Sequence, residues 1–117
     1  MIIKDAPSYY YNIWLAGDYD DARRACREFC SQEGACVTVT PVSYIYTGGE
    51  EAGVCVRMLN YPRFPAQPDE LWAKAWRLAE HLRVRLHQDS VLVEALYQIR
   101  WSSFRHGVQA DDGECTG

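Results

Sequence analysis

Residues 35–60, ACVTVTPVSYIYTGGEEAGVCVRMLN, decide the fold of this chain. Two runs of alternating, often β-branched residues flank a Gly-Gly pair, and this pattern is typical of a β-hairpin. We place its turn at residues 47–53, TGGEEAG. Pro41 interrupts the first run, which predicts a bulge or a strand at the edge of a sheet. The returning strand alternates between two faces, with Val54, Val56 and Met58 on one and Cys55, Arg57 and Leu59 on the other.

A strand and an amphipathic helix are predicted before the hairpin. Residues 9–17, YYYNIWLAG, are rich in aromatic and branched side chains and end at a glycine, which favours a strand. Asp18 suits the N-cap of a helix, and Gly34 is a natural stop for that helix. The apolar side chains between them recur at helical spacing: Ala22, Ala25, Cys26, Phe29 and Cys30.

A helix and a final strand are predicted after the hairpin. A proline-rich loop, YPRFPAQP, leads to a helix over residues 69–87, and SVLVEALYQIRW, residues 90–101, alternates as one last strand. The order strand, helix, strand, strand, helix, strand predicts an α+β fold: a split βαβ (ferredoxin-like) antiparallel sheet with two helices on one face. We expect a single α+β domain over residues 1–106 and a flexible acidic tail over 107–117. The bare face of the sheet is expected to meet a partner or a ligand.

Composition narrows the function classes. The net charge is −4, and three acids near the C-terminus account for most of it, so binding to long nucleic acids is not expected. The basic residues are nearly all arginine, which reflects either genomic base composition or a use for forked hydrogen bonds to phosphate or carboxylate. No apolar run reaches membrane-spanning length, and the N-terminus lacks the apolar stretch of a signal peptide. We therefore predict a cytoplasmic protein whose five cysteines include free thiols rather than a disulfide framework.

No catalytic or metal-binding pattern stands out. The Gly48-Gly49 turn lacks the GxxxxGK[ST] pattern of a phosphate-binding loop. Cys26 and Cys30 share a helical face, but no second ligand pair follows at zinc-finger spacing. The histidines do not form paired His-x-Thr/Ser triplets, and there is no GxSxG motif. We predict no catalytic residue, no metal and no cofactor, and hence a protein that is not an enzyme.

The hairpin ends in RMLNYPRF, which gathers groups that suit a nucleotide. Arg57 and Arg63 can fork onto phosphate oxygens, and Asn60 can pair with a base edge. Tyr61 and Phe64 offer stacking surfaces. The alternative is a structural exit loop, in which the rings fill the core and the arginines pair with acids of the hairpin. The residues alone leave both interpretations open.

The segments CREFC (residues 26–30) and GACVTVTPVSYIYTGGEEAGVCVRMLNYPRFP (residues 34–65) resemble a known family. They are similar to phage-encoded Thoeris anti-defence sponge proteins of the first-described family, and the resemblance covers residues 12 to about 93. It implies a protein of the infected bacterial cell that binds cyclic ADP-ribose isomers, and also cyclic trinucleotides, without hydrolysing them. It further implies a homo-oligomer, typically a hexamer, with ligands between subunits.

The resemblance also implies binding residues. Arg57 and the first-helix arginines, Arg23, Arg24 and Arg27, would hold phosphate at one site. Gln88 and Arg105 would frame a second site. The full candidate set is Arg23, Arg24, Arg27, Thr38, Arg57, Asn60, Tyr61, Arg63, Phe64, Trp76, Gln88 and Arg105. Two other functions stay open: a protein-interaction module that inhibits a host enzyme, and a nucleotide-cleaving enzyme with an unrecognised site.

Overall fold

The computed structural model describes residues 1–104, so the predicted tail and its boundary at residue 107 lie outside the described residues and stay a prediction. Within residues 1–104 the chain forms five strands and two helices. They are β1 (Tyr10–Ala16), α1 (Tyr19–Glu33), β2 (Thr38–Tyr46), β3 (Gly49–Leu59), α2 (Pro68–Arg85), β4 (Ser90–Glu94) and β5 (Ile99–Ser103). Neither helix is long and apolar enough to cross a membrane.

The five strands form one antiparallel sheet in the order β2-β3-β1-β4-β5. Both helices pack on the same face of this sheet and bury a single apolar core, which includes Ile13, Val54, Val56, Leu78 and Val93. The predicted α+β fold with a split βαβ core is confirmed. We call the sheet face that the helices leave uncovered the open face, because the candidate site lies there.

The ends of α1 follow the predicted capping residues. The Asp18 carboxylate accepts a hydrogen bond from the Asp21 backbone N–H at 3.0 Å, which satisfies one of the free donors at the start of the helix. Gly34 ends the helix in the left-handed conformation, with φ of 71°. All four cysteines in residues 1–104 are free thiols, as predicted, and Cys115 lies outside the described residues.

The hairpin is longer than predicted because its turn is shorter. β2 and β3 pair without interruption from Thr38 opposite Arg57 to Tyr46 opposite Gly49, so only two residues, Thr47 and Gly48, form the loop. The predicted turn at residues 47–53 is therefore wrong. The acids and glycines of residues 49–53 have low strand propensity. They nevertheless form a strand because they pair with aromatic and β-branched residues of β2, which have high strand propensity. The edge position predicted from Pro41 is confirmed, and β2 has no bulge.

The predicted final strand is in fact two strands. β4 ends at Glu94, a turn over residues 95–98 reverses the chain, and β5 returns beside β4. The Ala95 N–H closes this turn by donating to the Gln98 carbonyl oxygen at 2.6 Å. The turn contains no glycine, proline, asparagine or aspartate, so its sequence gave no signal. The extra strand moves the sheet edge outward and adds Trp101 to the open face.

The exit loop after β3 is pinned by Asn60. Its side-chain amide donates to the Pro7 carbonyl oxygen at 2.9 Å and accepts from the Ala66 N–H at 2.9 Å. The residue is only 6% exposed. The structure thus gives this amide a structural role, and its burial leaves no edge for the predicted contact with a base.

Replacing Asn60 by alanine should therefore destabilise the fold. The change removes both hydrogen bonds, from the half-buried Ala66 N–H and to the Pro7 carbonyl oxygen, which costs about 1–3 kcal/mol in the free energy of unfolding. Urea unfolding of the variant measures this loss. Exposed Asn-to-Ala changes are near neutral, so a midpoint equal to that of the parent would contradict the pinning role.

Candidate ligand-binding site

A row of side chains that includes two tryptophans crosses the open face. The strand register places Thr40, Cys55, Trp14, Leu92 and Trp101 side by side on five neighbouring strands. Next to this row lies a cavity of about 270 Å³. It is lined by Trp14, Leu15, Ala16, Tyr44, Glu51, Gln88, Ser90, Val91, Leu92 and Trp101. This volume is near the lower limit for ligand pockets, so a nucleoside would fill it and a longer ligand would extend past its mouth.

Gly53 shapes one wall of this cavity. A Cβ atom at this position would lie 2.3 Å from Cε2 of Tyr44 and 2.7 Å from the Leu15 carbonyl oxygen. Since no real Cβ can approach so closely, the missing side chain is what lets the Tyr44 ring lie flat against β3. The ring then faces into the cavity rather than outward from the edge strand.

The Tyr44 hydroxyl is the unusual polar group of the cavity. Its oxygen is buried and has no hydrogen-bond partner within residues 1–104. Burial, followed by the nearby Cys55 and Glu51, raises the pKa of Tyr44 to about 12. The phenol is therefore protonated at neutral pH. Because Tyr44 lines the cavity, a rotation of its ring would bring this unpartnered hydroxyl to a ligand, where it could donate or accept a hydrogen bond.

Glu51 gives the cavity its charge. It pairs directly with Tyr44 across the hairpin and is the one ionisable acid or base that lines the cavity besides that phenol. No ion pair to Glu51 is found in the part of the chain that the structure describes. The rings of Trp14 and Trp101 add faces that attract cations and stack on bases. The cavity is therefore suited to a ligand that combines an aromatic base with a positive charge.

A polar network borders the cavity on the open face. The Trp14 Nε1–H donates to Oε1 of Glu94 at 2.8 Å, and the Asn12 amide donates to the same oxygen at 3.3 Å. The Asn12 oxygen accepts from Nε of Arg57 at 2.9 Å, and the Arg57 guanidinium lies 4.3 Å from the Tyr10 ring centroid. Asn12, at the centre of this network, is only 6% exposed, so its amide is held between Arg57 and Glu94.

A second cavity, of about 330 Å³, lies between the end of α1 and the exit loop. Tyr61 and Phe64 line it, with their ring centroids 6.0 Å apart. Its one charged side chain is Lys74, which donates to the Gly34 carbonyl oxygen at 3.1 Å. It holds no carboxylate, and burial raises the pKa of the Cys30 thiol on its wall, which keeps that thiol neutral. Unlike the cavity of Tyr44, this cavity has an ammonium group and no carboxylate on its wall, so its charge does not favour a cation.

The predicted phosphate site does not form within one chain. Arg23 and Arg24 lie on the outer surface of α1 and pair with Asp20 and Asp21 of the same helix. Arg27 is exposed on this helix as well, whereas Arg57 lies on the open face, with the sheet between them. A phosphate site made of Arg57 and a helix arginine therefore requires a second copy of the chain to supply the helix. For such an assembly it stays a prediction.

The other predicted residues are scattered. Thr38 is exposed opposite Arg57, and Arg63 lies over the Phe64 ring at 5.3 Å. Trp76 lies on the helix side, 5.2 Å from the Arg100 guanidinium. Of the predicted set only Gln88 lines the cavity of Tyr44, and Arg105 lies outside the described residues. The homo-oligomer implied by the family resemblance stays a prediction.

Solved structures with a similar fold exist, although no protein-family model and no curated protein matches the sequence. A phage SAM lyase in the apo state superposes with a TM-score of 0.72, at 13% identity, over 93% of this chain and all of the other. A phage SAM lyase in complex with S-methyl-5'-thioadenosine superposes with a TM-score of 0.64, at 14% identity, over 93% of this chain and 98% of the other. At these identities the likeness shows a shared fold.

This likeness corrects one prediction. The expectation that the chain is not an enzyme is contradicted, because two structures that match over 93% of this chain are those of a phage SAM lyase. The expectation rested on the lack of recognised catalytic motifs. Such motifs describe nucleophiles, metals and phosphate loops, and a reaction that needs none of these leaves no motif of that kind in a sequence.

Proposed function

We propose that this chain is an enzyme that cleaves S-adenosylmethionine, and that the cavity of Tyr44 and Glu51 is its substrate site. One observation carries the proposal: in the fold of a phage SAM lyase, this cavity combines a carboxylate, aromatic faces and an unpartnered phenol. S-Adenosylmethionine has a matching set of groups, namely a sulfonium cation, an adenine ring and ribose hydroxyls. The phage origin of the neighbouring structures supports the predicted anti-defence role.

The reaction requires no second reactant. S-Methyl-5'-thioadenosine is formed when the bond between sulfur and Cγ of the methionine part breaks and its electron pair stays on sulfur. The sulfonium thereby becomes a neutral thioether. In the same step the substrate's own carboxylate oxygen can bond to Cγ, which gives a lactone. Atoms and charge then balance without water, metal or enzyme nucleophile.

The open face has properties that favour such a step. Opposite charges on sulfonium and carboxylate disappear in the transition state, so a site that excludes water accelerates the reaction relative to bulk solvent. Trp14, Leu92 and the half-exposed Trp101 supply apolar surface that a bound substrate would cover. Glu51 would attract the sulfonium during binding, and the Tyr44 hydroxyl would hydrogen-bond the nucleoside. Holding the substrate folded with its carboxylate near Cγ adds the advantage of an intramolecular reaction.

The test is incubation of the purified protein with S-adenosylmethionine, followed by mass spectrometry. We expect S-methyl-5'-thioadenosine and a four-carbon lactone or its hydrolysis product in equal amounts. A reaction in ¹⁸O-water separates lactone formation from direct hydrolysis, because direct hydrolysis places the label on Cγ. The proposal is contradicted if the protein does not bind S-adenosylmethionine. It is also contradicted if the protein binds S-adenosylmethionine but leaves it intact.

Binding of cyclic ADP-ribose isomers or cyclic trinucleotides is the second candidate function. One observation favours it: Arg57 is exposed on the open face and has no carboxylate partner within residues 1–104. The same experiment distinguishes the two. Incubation with cyclic nucleotides, heat release and mass spectrometry show whether these ligands are taken up, and parallel samples with S-adenosylmethionine show whether that substrate is consumed.

A further inference from the structure

The indole of Trp14 has a defined orientation because of Glu94. Trp14 and Glu94 lie on neighbouring strands, β1 and β4, whose register places Asn12 opposite Glu94 and Trp14 opposite Leu92. The Glu94 side chain therefore reaches along the open face to Trp14, where its Oε1 atom lies 2.8 Å from the indole nitrogen. A hydrogen bond to a carboxylate is stronger than one to a neutral oxygen.

The same carboxylate is itself held in place. Asn12 donates to Oε1 of Glu94, and the Asn12 oxygen is fixed in turn by Nε of Arg57. Asn12 is almost fully buried, so loss of its partners would leave an unsatisfied amide. The chain of contacts from Arg57 to Trp14 spans three neighbouring strands of the sheet. It restricts both the position and the tilt of the ring that forms one wall of the cavity.

We infer that Glu94 is a positioning residue for the proposed substrate site, acting through the Trp14 indole rather than by contact with the ligand. This inference rests on the proposed function, since it concerns the nucleoside half of the same substrate. Glu51 lies within the cavity lining, whereas Glu94 does not. A ring held at a fixed tilt binds a base with less loss of side-chain entropy than a mobile ring does.

The test compares three single variants and one double variant by calorimetry with S-methyl-5'-thioadenosine, which lacks the sulfonium charge. Glu94→Ala removes the acceptor and should weaken binding about ten-fold or more. Glu94→Gln keeps a side-chain oxygen that can accept from the indole and should stay within about three-fold of the parent. Trp14→Phe keeps a ring without the N–H, and combining it with Glu94→Ala should add little to its own effect, because the two residues act as a unit.

A second measurement reports the orientation without a ligand. The Trp14 indole N–H resonance in a ¹⁵N spectrum, assigned by its loss in Trp14→Phe, should move upfield in Glu94→Ala and stay near its place in Glu94→Gln. Equal melting temperatures exclude a general loss of fold. If Glu94→Ala does not fold, Trp14→Phe alone carries the test, and an unchanged affinity for the nucleoside there overturns the inference.

The outcomes separate the inference from the function on which it rests. If the parent binds the nucleoside and Glu94→Ala binds it equally well, the positioning role is wrong and the proposed function stands. If Glu94→Gln loses as much affinity as Glu94→Ala while its indole resonance is unmoved, Glu94 contacts the ligand directly and the inference is overturned. If the parent binds neither the nucleoside nor S-adenosylmethionine, the proposed function fails and the positioning role fails with it.

Discussion

Glu51→Gln should weaken binding of S-adenosylmethionine about ten- to hundred-fold while leaving the affinity for S-methyl-5'-thioadenosine within about two-fold. The reason is charge. The substrate carries a sulfonium cation that the carboxylate attracts, whereas the product is a neutral thioether. The Michaelis constant for the substrate and the inhibition constant for the product, measured on the same preparation, give the two values.

Two controls sharpen this prediction. Glu50→Gln makes the same chemical change one residue away, at a position that pairs with Ile45 and does not line the cavity, so it should have little effect. S-Adenosylhomocysteine keeps the amino-acid part of the substrate but has no sulfonium, so its inhibition constant should not change in Glu51→Gln. If it rises as much as the substrate's Michaelis constant, the carboxylate faces the substrate's ammonium group instead. Equal losses for all three ligands would contradict a role in recognising charge.

Gly53→Ala is expected to destabilise the protein and close the cavity. The new methyl group would overlap the Tyr44 ring, which can rotate away, and the Leu15 carbonyl oxygen, which belongs to the central strand and cannot. Overpacking of this kind costs about 1–3 kcal/mol, or a fall of roughly 5–20 °C in the melting temperature of a domain this size. Scanning calorimetry measures the fall, and the cleavage assay measures the loss of activity.

Gly49→Ala is the matched control. It lies on the same strand, and its new Cβ would meet the Tyr46 ring at 2.9 Å, but that ring is 54% exposed and can move into solvent. We expect a change of less than about 1 kcal/mol and unaltered cleavage. Should both variants melt together with the parent, the close approach at Gly53 is not what holds Tyr44 in the cavity.

The sequence predicts the fold well where side-chain periodicity is strong. The alternation through Val54, Val56 and Met58 identifies the buried face of β3, and Asp18 and Gly34 mark the ends of α1, because capping groups and left-handed glycines are local requirements. The turn at residues 95–98 could not be predicted, because it lacks such local signals. Its apolar residues continue the alternation of β4, and nothing local marks the reversal.

The candidate site was missed because it depends on register. Tyr44 and Glu51 are seven positions apart, and only a two-residue loop places them opposite each other. Once that loop is known, Gly53 indicates where the cavity lies, since a buried glycine within a strand often marks the close approach of another group, here the Tyr44 ring. Arg57 and Arg63 were predicted to bind one ligand because they are close in sequence. Strand alternation and the Asn60 pin then separate them in space.

The β2–β3 hairpin extends beyond the rest of the sheet. β1 pairs with β3 only as far as Ala16 opposite Gly53, so the segment that carries Tyr44 and Glu51 continues as a ribbon of two strands. Isolated ribbons open at far lower free energy than a packed core. One wall of the cavity thus belongs to the cooperative unit of the domain, while the wall with the phenol and the carboxylate can fray independently. If the chain cleaves S-adenosylmethionine as proposed, its product would have a route out by local opening of this ribbon that leaves the folded core intact.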